Sequence, residues 1–71
     1  MMSKERLLNW VETNCLDEAL KESIKTFIWK APFDSLMKLT EAQWAKKGFD
    51  IWGEFIFNEL HPESKYQSLN K

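Results

Sequence analysis

The chain predicts an all-α fold, a small bundle of three to four helices ending in a long C-terminal helix and a short polar tail. Three observations predict it. Only two glycines and two prolines punctuate 71 residues, no alternating apolar–polar run reaches useful strand length, and apolar residues recur at spacings of three and four.

The first helix spans about 3–14. Ser3 is a good N-cap because its hydroxyl can accept from a free backbone N–H of the first turn. Leu7, Leu8, Trp10 and Val11 then fall on one broad face. A second helix spans about 16–30, with Asn14 as its cap and Asp17 and Glu18 in the first turn, where the helix dipole favours acids. Its apolar face steps through Leu16, Leu20, Ser23, Ile24 and Phe27, and Pro32 ends it. A short helix over 33–39 follows, with Asp34 as its cap. Thr40 and Gln43 have the capping-box spacing, so a last helix runs over about 41–60 until Pro62 stops it. Residues 1–62 form one helical domain, and 63–71 read as a frayed polar tail.

The last helix is overloaded: GFDIWGEFIFNELHP puts seven large apolar side chains into residues 49–60. At about 100° per residue they sort into two stripes. One holds Ala42, Ala45, Phe49, Trp52, Ile56 and Leu60; the other holds Trp44, Gly48, Ile51 and Phe55. Phe57 interrupts the polar face opposite. A surface helix needs one such stripe. The second is either core in a small bundle or a contact for a partner, and Gly48 in it suggests close helix approach. Trp29 is a further outlier, on the polar side of the second helix. The candidate partner-binding residues are therefore Trp44, Gly48, Ile51, Phe55, Phe57 and Trp29.

Composition narrows the function. One domain of 71 residues buries only about 60% of its unfolded surface, so the core needs dense packing or a partner. One cysteine forbids an internal disulfide, and one cysteine with one histidine cannot assemble a paired Cys/His zinc site. Ten basic against eleven acidic residues leave no charge excess for phosphate binding. A helix-turn-helix over 34–50 fails on the same ground, since its second helix offers only Lys46 and Lys47 as donors. No apolar run approaches the roughly 20 residues of a membrane span, and the N-terminus lacks a signal-type apolar core. A cytoplasmic protein with no metal and no cofactor is the expectation. Catalysis has no constellation: Cys15 continues the apolar side of the first helix and reads as a small buried thiol.

KAPFDSLMKLTEAQWA, residues 30–45, resembles the phosphopantetheine attachment region of acyl carrier proteins. In that family an Asp-Ser-Leu opens a helix and the serine carries the prosthetic arm. The resemblance implies Ser35 as the attachment serine and an acyl shuttle as the function. Pro32 stands where that motif has glycine, and Lys38, Lys46 and Lys47 replace its acidic face. The leading expectation is a non-enzymatic interaction module, such as an adaptor, an immunity-type protein or an inhibitor occluding a larger protein. Its partner would be another protein or a second copy of the chain; the carrier-like shuttle is the alternative.

Overall fold

The computed structural model describes residues 2–63, and the regular structure among them is helical throughout. The chain divides into two compact units, Met1–Leu39 and Thr40–Lys71.

The first unit holds α1 (Lys4–Asn14), α2 (Glu18–Lys30) and α3 (Phe33–Lys38). Ser3 is extended and caps α1 as expected, its hydroxyl accepting from the Arg6 N–H at 3.2 Å. Leu7 and Val11 point into the core, and Cys15 beyond the helix end is also fully buried. The start of α2 departs from the sequence reading. Its cap is Asp17, not Asn14, with Oδ1 accepting from the Leu20 N–H at 3.1 Å. A short carboxylate reaches that N–H only if the chain enters extended, so Leu16 lies in the link between the helices and is 84% exposed. The buried face of α2 shifts accordingly. Lys21, Ile24 and Ile28 are buried, Leu20 and Phe27 only half-buried, and Ser23 exposed.

Two contacts fix the pairing of α1 with α2. Glu12 meets Lys21, and Lys4 reaches the carbonyl of Trp29. Late residues of one helix thus meet early residues of the other, an antiparallel hairpin. Pro32 ends α2 by holding Ala31 extended (φ −88°, ψ 141°). Pro32, not Asp34, takes the cap position of α3; its carbonyl accepts from Ser35 and Leu36 at 3.0 and 3.2 Å. Leu36 is fully buried.

The second unit holds α4 (Glu41–Ala45) and α5 (Trp52–Leu60). The capping box is present: the Gln43 N–H donates to Thr40 Oγ1 at 3.1 Å, and the Thr40 N–H donates to Gln43 Oε1 at 2.8 Å. The single helix expected over 41–60 is not. The chain turns between Lys46 and Ile51, with Gly48 at φ +82° and Asp50 at φ +57°. A right-handed helix cannot run through two left-handed residues. Glycine adopts that conformation freely, and aspartate is one of the few other residues that tolerates it.

The turn lets α5 pack back on α4. Gly53 approaches the Trp44 backbone so closely that an added Cβ would stand 2.5 Å from the Trp44 carbonyl oxygen. Close approach thus belongs to Gly53, while Gly48 has nothing within 4 Å of its would-be Cβ and serves the turn. Trp44, Phe49, Ile56 and Leu60 are buried, the Trp44 and Phe49 rings 6.4 Å apart. The His61 N–H closes α5 on the Phe57 carbonyl at 2.9 Å, one residue before Pro62. Of the tail expected over 63–71, only Glu63 is described, and residues 64–71 lie outside the described residues.

Candidate interaction surface

The sequence sorted partner-facing residues by a single helical wheel over 41–60, and the turn after Ala45 redistributes them. Trp44 is fully buried in α4. It anchors the second unit and offers no surface, which corrects its assignment to a contact stripe. Gly48 is exposed but contributes backbone only, at the turn. Ile51 and Phe55 remain together: they stand one turn apart at the start of α5, 56% and 40% exposed. The Phe55 N–H donates to the Ile51 carbonyl at 3.2 Å, so the backbone between them is already helical. Trp52, half-buried beside them, meets the Phe55 ring edge-on at a centroid distance of 5.2 Å and 83°. Such a T-shaped pair is worth about 0.5–1.5 kcal/mol beyond burial and holds the Phe55 ring in place. Phe57 is half-buried, its ring 4.7 Å from that of His61.

Trp29 lies in the first unit, 67% exposed near the end of α2. Lys4 Nζ donates to its carbonyl at 3.1 Å and stands 6.0 Å from the ring centroid. A cation there also suits the negative end of the α2 dipole. Ser35 is exposed in the first turn of α3.

Sequence patterns missed the charged cluster that joins α1 to α2. Lys21 is only 7% exposed, yet its ammonium reaches Glu12 at 2.9 Å and Glu18 at 3.0 Å. Lys25 reaches the other Glu12 oxygen at 2.6 Å. The stem of Lys21 occupies the core side of α2 while its head escapes to the carboxylates. Hydrogen bonds from Lys25 and then Lys21 hold the Glu12 carboxyl well below its ordinary 4.5, at about 2. Lys21 is pushed up chiefly by Glu12 and then Glu18, and Lys25 is pushed up by Glu12. The cluster is a clamp between two helices, with Glu22 a further acid acting on Lys25.

Other chemistry is sparse. Cys15 is fully buried, its Sγ 3.9 Å from the Asp17 carbonyl. His61 Nδ1 stands 3.5 Å from Glu63. Among the described residues no group of three or more His, Cys, Asp or Glu side chains could hold a metal ion, and no helix is long and apolar enough to cross a membrane. Compared with known proteins, the chain matches no family model, no curated sequence and no solved structure.

Proposed function

We propose that the protein is a non-enzymatic helical interaction module of the cytoplasm, an adaptor or inhibitor that occludes part of a larger protein through the Ile51–Phe55 face of α5. One observation carries this reading. Two large apolar side chains a helical turn apart stay in water, while Gly53, Ile56 and Leu60 of the same helix are buried. Lone exposed apolar residues are ordinary; an adjacent pair backed by a fixed aromatic ring has the make-up of a binding hot spot. The pair also sits where α5 leaves the turn.

A photo-crosslinking phenylalanine analogue at Phe55, expressed in the native host, tests this. The reading expects one discrete adduct with a larger protein, absent when the analogue replaces Glu41. Equal adducts from both positions would remove the face as a specific contact. An adduct at twice the chain mass would give it to a second copy instead.

A carrier-like shuttle is the second reading, favoured by one feature. In the Asp34-Ser35-Leu36 tripeptide, Ser35 is exposed in the first turn of a helix while Leu36 is fully buried. Against it, the chain before the tripeptide is the helix α2 and not the long loop of carrier proteins. Intact mass after co-expression with a broad-specificity phosphopantetheinyl transferase separates the two. The leading reading expects no mass gain, and a gain lost in Ser35→Ala would reverse the order.

A further inference from the structure

The α1–α2 hairpin carries an open groove of about 240 Å³ lined by Leu8, Lys25, Thr26 and Trp29. Pockets for small molecules run about 300–1,000 Å³ and enclose most of their ligand. This one is smaller and shallow, a size suited to one or two side chains of a docking chain. Leu8, Lys25, Thr26 and the exposed Trp29 line it with almost wholly apolar surface.

The two ends of the groove differ in charge. At one end the Lys25 ammonium is taken up by Glu12, and Lys21 beside it is taken up by Glu12 and Glu18. Lys21 and Lys25 face Glu12, Glu18 and, beside Lys25, Glu22, so no cation is left over at that end. At the other end Lys4 donates to the Trp29 carbonyl and stands near the ring, and no carboxylate among the described residues pairs with it. An ammonium has three donors, and Lys4 uses one on that carbonyl. The groove therefore presents an aromatic–aliphatic floor with an ammonium at the Trp29 end that pairs with no carboxylate of the described residues. A nucleic acid would need several such cations to bind through phosphate.

We propose that this groove docks an acidic peptide segment of a partner protein, an apolar side chain lying on Leu8 and Trp29 with a neighbouring carboxylate on Lys4. The surface belongs to the first unit and does not depend on the Ile51–Phe55 reading.

The test titrates the intact protein with a synthetic, end-blocked peptide of alternating glutamate and leucine, by backbone amide NMR shifts. Two control peptides replace its glutamates by glutamine or its leucines by alanine. The proposal expects saturable shifts centred on Leu8, Thr26 and Trp29. Trp29→Ala should weaken binding about tenfold or more, as loss of a buried aromatic anchor does. Lys4→Gln should weaken it about two- to fivefold, and the glutamine peptide should lose a similar factor. Glu41→Gln, at an exposed position of the second unit, should leave binding unchanged. Trp29 is exposed, so its variant should keep the wild-type helical signal; should it unfold, the Lys4→Gln and peptide arms still decide. No saturable binding, shifts centred elsewhere, or equal binding of the glutamine peptide would overturn the proposal. So would self-association lost in Trp29→Ala, which would give the groove to a second copy.

Discussion

Gly53 packs against the backbone of Trp44 with no room for a side chain: a Cβ at that position would stand 2.5 Å from the Trp44 carbonyl oxygen and 2.9 Å from its carbon. Backbone atoms of a capped helix cannot swing aside as a flexible side chain could. Gly53→Ala should therefore cost about 1–3 kcal/mol, the range of overpacked cores, despite alanine's better helix propensity. Urea unfolding monitored by circular dichroism reads this directly. A neutral or stabilising Gly53→Ala would mean that α4 and α5 do not meet this way.

The turn before α5 gives predictions of both signs. Gly48 and Asp50 both sit in the left-handed region, at φ +82° and +57°. Gly48→Ala should cost about 1 kcal/mol from backbone strain alone, because its Cβ meets nothing, and Gly48→Asn should cost less. Asp50→Gly should relieve strain and stabilise by up to about 1 kcal/mol. If residues 41–60 were one continuous helix, Gly48→Ala would stabilise and Asp50→Gly would destabilise.

The Glu12 clamp predicts a particular acid response. Its folded carboxyl titrates at about 2 against an ordinary 4.5, so protons bind the unfolded chain first as pH falls. The clamp's contribution is present above about pH 4.5 and is lost progressively as pH drops towards 2. Lys21 and Lys25 are shifted upward, so their share persists below their ordinary 10.5 and is lost as pH rises through the folded values. Urea melts from pH 7 to 2 should show a steeper acid limb for the wild type than for Glu12→Gln. Parallel limbs would remove the clamp from the account.

Burial sorts the core substitutions. Ile24→Ala and Leu36→Ala, at fully buried positions, should each cost about 2–5 kcal/mol. Leu20→Ala and Phe27→Ala should cost less because both are half-buried, and Leu16→Ala should be nearly neutral. Cys15 supplies a probe of the same core. Its thiol is fully buried, so a thiol-specific reagent should label it only at the rate of opening, accelerated in step with unfolding by urea.

Helix identity and most helix ends were legible in the sequence because caps are local chemistry. Ser3, the Thr40–Gln43 box and Pro32 act within a turn, and the structure has all three. The Leu16 error came from starting the second helix at Asn14 and reading Asp17 only as an acid of its first turn. Asp17, followed by a helix-forming run, carried the better local signal. The long helix failed for a physical reason: apolar spacing of three and four continues across a tight turn, so the wheel sees no interruption between Ala45 and Trp52. Lys46 and Lys47 followed by Gly48 was the available stop signal, basic residues in a last turn and then a left-handed glycine. The Gly53–Trp44 approach is tertiary and had no sequence signature beyond the glycine itself. Within the candidate surface, Ile51 and Phe55 were legible as surplus apolar residues. Trp44 was misplaced because the wheel that joined it to them does not exist.

The most direct measurement of the proposed function is one variant read two ways. Ile51→Lys, at a position 56% exposed, should keep the wild-type helical signal and a melting temperature within about 4 °C, as a surface substitution does in a domain this small. The same variant, used as bait beside the wild type in the native host, should lose the protein that the wild type captures. If Ile51→Lys instead unfolds the chain while the wild type stays monomeric and captures nothing, the Ile51–Phe55 face is core and the interaction reading is wrong.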